Sequence, residues 1–167
     1  FCECSSLEFI SIPSTVKIIG EHSFYHCTRL IDVELSEGLE RIDQFAFREC
    51  RSLEIISIPS TVKVIGIEAF DRCTRLVHVE LREGLESIDE AAFCECTSLE
   101  RISIPSTVKV IDKFAFISCT QLLHVELREG LESIGEAAFG KCTSLEIITI
   151  PSTVHCIYKD VFRNCSS

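Results

Sequence analysis

The chain is short of positive charge: 16 Lys and Arg stand against 26 Asp and Glu, a formal net charge of −10 over 167 residues. That balance opposes a sequence-independent grip on nucleic-acid phosphates or an anionic lipid surface, both of which need clustered cations. No apolar run approaches the ~20 residues of a membrane-spanning helix, so direct membrane insertion is not expected. The sequence has no nucleophile elbow, no phosphate loop and no His-Glu-x-x-His pattern, and its 11 cysteines include no spaced Cys-x-x-Cys pair of the kind that marks a zinc or redox site. Asparagine is nearly absent, with Asn164 the single one. These absences argue against an enzyme, a metal centre or a bound cofactor.

What is present is a repeat. Cys4, Cys27, Cys50, Cys73, Cys96, Cys119, Cys142 and Cys165 each follow the last by 23 residues. Counted from the cysteine, Leu falls at offset 3, Ile or Val at 6, Ile or Leu at 8, Ile at 15 and Phe at 20, as in Leu99, Ile102, Ile104, Ile111 and Phe116. Fixed periodicity of this length is the signature of a solenoid, in which single units cannot hold themselves together and stability belongs to the stack. A composition 46% hydrophobic and 25% charged supports one continuous core, and residues 1–167 read as a single domain of seven 23-residue coils. The chain opens on Phe1 inside one unit and stops at Ser167 inside another, so the expectation is a stretch of a longer array whose end rungs could associate with further rungs.

Within a coil, offsets 4 to 8 alternate outward and inward, as in Arg101-Ile102-Ser103-Ile104, the period of a half-buried strand. Pro13, Pro59, Pro105 and Pro151 end that strand in the odd coils, because proline brings no N–H to the next rung. Gly38, Gly84 and Gly130 make the turn in the even coils. A second extended segment is expected around Val108 to Ile111, then a corner at Gly20, Asp43, Gly66, Asp89, Asp112 or Gly135. Ala-Phe at offsets 19 and 20 suggests a short helix or 3-10 turn across the outer side, with the Phe ring closing the coil.

Because coils stack at about 4.8 Å, each offset becomes a column. Offset 13 reads Lys17, Glu40, Lys63, Glu86, Lys109, Glu132, His155, an alternation that attracts between rungs where a uniform column would repel. In the cysteine column, Cβ vectors run parallel and leave Cβ atoms near 4.8 Å instead of the ~3.8 Å of a disulfide, which favours buried free thiols. Cys2 and Cys94 make two Cys-Glu-Cys triplets and, with Cys156, read as exposed oxidation-prone thiols. Asn164-Cys165-Ser166 fits the glycan acceptor pattern.

The candidate site lies on the outward strand positions. Offset 5 reads Phe9, Asp32, Ile55, His78, Arg101, His124, Ile147, and offset 7 carries Glu34, Glu80 and Glu126. His78 with Glu80, and His124 with Glu126, resemble acid/base pairs, yet the two histidines sit two rungs, about 9.6 Å, apart, too far for one tetrahedral metal. An open sheet also lacks the enclosed pocket that sharpens catalytic electrostatics. Offset 5 varies between coils and is either plain solvated strand or a recognition stripe, with Phe9, Ile55 and Ile147 as apolar anchors and Arg101, His78 and His124 as polar contacts. The sequence leaves both readings open.

The pattern Cys-x-x-Leu-x-x-Ile-x-Ile-Pro-x-x-Val-x-x-Ile-x-x-x-Ala-Phe-x-x-Cys, seen from Cys50 to Cys73, resembles the BspA-like (Treponema-type) leucine-rich repeats over essentially the whole chain. The resemblance implies an α/β leucine-rich-repeat solenoid, curved and right-handed, with a parallel sheet on its concave face and helical or 3-10 turns outside. It implies a non-enzymatic module that binds a protein or glycan, often secreted or on the cell surface; a structural spacer or scaffold docked in a larger assembly is the competing reading. It prescribes no catalytic residue. The asparagine ladder of ordinary leucine-rich repeats is replaced by Thr15, Gly38, Thr61, Gly84, Thr107, Gly130 and Thr153, so threonine hydroxyls or glycine backbone must hold the turn.

Overall fold

Strand formation follows the β-branched alternation. The computed structural model describes residues 1–165, which leaves Ser166 of the glycan acceptor pattern outside them. Fourteen strands follow in order: β1 (Phe9–Ile12), β2 (Ile18–Ile19), β3 (Asp32–Leu35), β4 (Arg41–Ile42), β5 (Ile55–Ile58), β6 (Val64–Ile65), β7 (His78–Leu81), β8 (Ser87–Ile88), β9 (Arg101–Ile104), β10 (Val110–Ile111), β11 (His124–Leu127), β12 (Ser133–Ile134), β13 (Ile147–Thr149) and β14 (Cys156–Ile157). The odd strands form one seven-stranded parallel sheet in sequence order, and the even strands form a second. Equivalent offsets pair: Arg101 faces His124 and Val110 faces Ser133. The result is a parallel β-solenoid.

Two expectations need correction. Seven strands per sheet bound six strand-to-strand turns, so there are about six stacked turns where seven complete coils were expected, since the first and last rungs have a neighbour on one side only. Among the described residues no helix or 3-10 turn forms, so the α/β designation and the helical outer turns are replaced by an all-β solenoid with hydrogen-bonded turns. The reason is in the backbone. Offsets 18 and 22 adopt left-handed φ in coil after coil, at 15 non-glycine residues such as Phe45 (φ 59), Glu49 (φ 62), Ala91 (φ 53) and Glu95 (φ 55). A left-handed residue every fourth position breaks a right-handed helix. It also turns alternate amides outward: Phe45, Phe47 and Glu49 donate to the carbonyls of Ile67, Ala69 and Asp71 in the next coil, at 2.9, 2.8 and 2.8 Å. The segment that carries Ala-Phe is thus a third hydrogen-bonded side of the coil: every second amide is satisfied in the next coil, and those between, of Ala46, Arg48 and Cys50, bond three residues back at 3.3, 3.2 and 3.1 Å.

Inside the three sides lies one core. The Leu, Ile and Phe columns at offsets 3, 15 and 20 are buried in the inner coils, with Leu99, Ile111 and Phe116 at 0% exposure, and open only at the end rungs. Phe24, Phe47, Phe70, Phe93, Phe116 and Phe139 stack face to face with neighbouring centroids 5.0 to 5.3 Å apart and planes within 5°. The cysteine column packs beside it and also donates hydrogen bonds. The Sγ of Cys50, Cys73, Cys96 and Cys119 points at the carbonyl of Phe24, Phe47, Phe70 and Phe93, at 3.1 to 3.2 Å. Each of these carbonyls also accepts the amide of the cysteine three residues on, as Phe47 does from Cys50 at 3.1 Å, so the S–H from the next coil fills its second acceptor site.

Missing asparagine is replaced by a two-coil device. Gly38, Gly84 and Gly130 each donate their amide to the hydroxyl of Thr61, Thr107 and Thr153 in the following coil, at 2.9 Å. The Thr61 and Thr153 hydroxyls donate in turn to the carbonyls of Leu39 and Leu131. On the other side each glycine abuts the preceding coil: a Cβ on Gly84, whose φ is +118°, would lie 2.0 Å from the Ser60 carbonyl oxygen. Lys17, Lys63 and Lys109 then reach forward to the carbonyls of Gly38, Gly84 and Gly130 at 3.2 Å. They also meet Glu40, Glu86 and Glu132 at 3.6, 3.3 and 3.8 Å, the attraction expected of the alternating column.

Candidate binding surface

The odd-numbered strands turn their even offsets into the core, which leaves offsets 5 and 7 on solvent. Phe9, Asp32, Ile55, His78, Arg101, His124 and Ile147 therefore form one row across seven strands, each beside the next in register. Phe9, Ile55 and Ile147 are 55%, 56% and 57% exposed, whereas the large apolar residues one position on in each strand face inward. His78 and His124 flank Arg101 on either side, the separation of two rungs that the repeat implied.

The neighbouring row carries Glu34, Glu80 and Glu126 alternating with Ser11, Ser57, Ser103 and Thr149. Glu80 accepts from the Ser57 hydroxyl and pairs with Arg82 at 3.3 Å. Glu126 accepts from Ser103 at 2.7 Å and pairs with Arg128 at 3.6 Å. The serine hydroxyl first, then the guanidinium, holds the Glu80 carboxyl below its ordinary range, and Ser103 and Arg128 do the same for Glu126. Hydrogen bonds and cations that favour the charged form produce that direction. Both carboxylates are ionised and engaged, the opposite of what a general acid needs. Around Arg101 the two rows enclose a shallow depression of about 460 Å³ that also touches His78, His124, Glu126 and Arg128.

Sequence reasoning placed these ten residues but passed over Arg82 and Arg128. They stand at offset 9 of the even coils, where the odd coils carry proline, and each bridges two coils, to Glu37 and to Glu83. That even-coil basic residue opposite a repeated Glu-Gly was a readable signal. On the outer side, Asp71 is buried beside Arg48, with the Arg48 Nε 3.1 Å from its carboxylate. Burial, opposed by the Cys94 contact and Arg48, pushes the Asp71 carboxyl up. Cys94, expected to be exposed, is half-buried against Asp71, and burial followed by that carboxylate pushes its thiol well up. No group of three or more His, Cys, Asp or Glu among the described residues is placed to hold a metal.

The family profile described as "BspA type Leucine rich repeat region" matches six copies, over residues 1–122 and 41–167. The chain belongs to the BspA-type leucine-rich repeats. A leucine-rich repeat protein of Bacteroides ovatus is 30% identical with a TM-score of 0.74, over 97% of this chain and 48% of that one. The Treponema pallidum leucine-rich repeat protein is 36% identical with a TM-score of 0.81, over 87% of this chain and 68% of that one. A leucine-rich repeat protein of Eubacterium ventriosum is 26% identical with a TM-score of 0.88, over 96% of this chain and 43% of that one. This BspA-type chain thus spans about half the length of the B. ovatus protein. No curated protein matches it.

Proposed function

We propose that this chain is a non-enzymatic recognition module whose long-strand face, from Phe9 to Ile147, binds a protein or glycan. The observation that carries the reading is the offset-5 row. Its seven side chains differ from rung to rung and lie on the solvent side in register, six exposed and His124 half-buried, while the columns around them repeat. A row that varies on an otherwise periodic face supplies specificity at little cost to the stack. Three exposed apolar side chains at 55 to 57% exposure are the kind of anchor that binding buries.

The test is a panel of secreted proteins and glycans presented to the immobilised chain, repeated with Arg101→Glu and with Ile55→Asp. Loss of the captured partner in both variants, at unchanged circular dichroism, supports the reading. Retention in both places the contact elsewhere. A second reading is a structural spacer docked through its end rungs: among the described residues β1, β2, β13 and β14 are the outermost strands of the two sheets. Such edges template further strands. Light scattering that rises with concentration would favour this scaffold role, and a clean monomer would count against it.

A further inference from the structure

Ten arginines occur in the chain, and nine of them stand within 4.0 Å of a carboxylate. Arg101 is the exception: among the described residues its exposed guanidinium has neither an ion-pair nor a hydrogen-bond partner. The nearest acidic column does not serve it, because Glu80 is committed to Ser57 and Arg82, and Glu126 to Ser103 and Arg128. The row around it is symmetric: Ile55, His78, Arg101, His124, Ile147 lie side by side in register. Two rungs on each side of an open guanidinium stands an exposed isoleucine.

We infer that this row docks an extended peptide in the polyproline II conformation, with one carboxylate side chain on Arg101 and an apolar side chain three residues away on either side. The inference rests on the row being the recognition surface and adds what it recognises. Two rungs span about 9.6 Å, and a polyproline II peptide returns to the same face every third residue, about 9.3 Å on. The alternatives fit worse. A β-strand presents the same face every second residue, about 6.7 Å on, and a helix does so at the seventh, about 10.5 Å on. A guanidinium offers its fork of donors to a carboxylate, and the flanking histidines add ring nitrogens at the next rungs. One carboxylate is tolerated here; a polyanion such as a sulfated glycan would lie along Glu80 and Glu126 on a chain of net charge −10 and be repelled.

The experiment is fluorescence anisotropy of the whole chain with a labelled Ile-Pro-Pro-Glu-Pro-Pro-Ile peptide. Binding is expected to weaken roughly tenfold or more when the peptide glutamate is replaced by glutamine, as befits a charge-assisted pair, and comparably when one proline is removed from each side. Arg101→Glu should abolish binding of the glutamate peptide and create binding of the lysine-centred version. Equal affinity for the glutamate and glutamine peptides, preference for a heparin-derived oligosaccharide, or no binding at millimolar peptide overturns the inference. The broader reading fails separately, when a partner captured by the chain survives both Arg101→Glu and Ile55→Asp.

Discussion

Replacing Thr61 by valine tests the two-coil device that stands in for an asparagine ladder. The side chain keeps its volume and loses one hydroxyl, which accepts from the Gly38 amide at 2.9 Å and donates to the Leu39 carbonyl at 2.6 Å. Both bonds are part-buried, so the variant strands a donor and an acceptor away from full hydration. Each net hydrogen bond contributes about 1 kcal/mol, and an unsatisfied buried group costs about 1–3 kcal/mol. Some water access trims the sum to about 2–3 kcal/mol. For a chain of this size that corresponds to a fall in Tm of roughly 5–10 °C. Thr15→Val is the internal control: Thr15 is exposed and precedes the first glycine turn, so its replacement should stay within about 0.5 kcal/mol. Thermal melts read the difference, and amide hydrogen exchange at Gly38 reads its place, with protection lost in Thr61→Val alone. Equal melts for the two variants, with Gly38 still protected, would refute the idea that this hydroxyl bridges the turns.

Gly84→Ala should be far worse than Gly20→Ala, by more than about 3 kcal/mol in urea denaturation. A Cβ at Gly84 meets the Ser60 carbonyl at 2.0 Å under positive φ, while one at Gly20 finds nothing nearer than the Ser23 Oγ at 3.8 Å. Phe93→Ala opens a hole in the ring column, stacked 5.2 and 5.3 Å from its neighbours, and should cost about 3–5 kcal/mol. Phe162→Ala, where the ring is 36% exposed, should cost visibly less in the same melt. Burial first pushes up the thiols of Cys50, Cys73, Cys96, Cys119 and Cys142, the last to about 12. Above the ordinary thiol range near pH 9, unfolded chains lose these protons and folded chains keep them. Stability is therefore full below that range and falls as pH rises, by up to about 1.4 kcal/mol per pH unit per thiol. Denaturation midpoints at pH 7, 9 and 10.5 check the slope, and Cys119→Ala should make it shallower by one thiol.

How far the sequence reveals this molecule depends on which groups carry the signal. Side-chain columns are legible because every rung repeats them: Leu99, Ile102 and Phe116 go inward as their periodicity requires, and the Lys17–Glu40 alternation pairs as written. The outer turns are not legible, because their decision lies in the main chain. Left-handed φ at Phe45, Glu49 and Ala91 has no glycine to announce it, and Ala-Phe has respectable helix propensity by itself. What outweighs that propensity is the neighbouring coil, whose carbonyls accept those amides at 2.8 to 3.0 Å; a single repeat contains no trace of this. The same limit hid the thiol donors, since cysteine as a small apolar filler explains its burial without asking what its S–H meets. On the candidate face the ten residues could be placed in advance, but the hydrogen bonds from Ser57 to Glu80 and from Ser103 to Glu126 join neighbouring coils and emerged only with register.

The glycine that leans on the coil behind it and is held by the threonine ahead gives this array a parity. A glycine turn needs a Pro-Ser-Thr turn on both flanks, so removal of a single 23-residue unit would seat two turns of the same kind against each other. Recombination within such a gene can lengthen or shorten its product without damage only in steps of two.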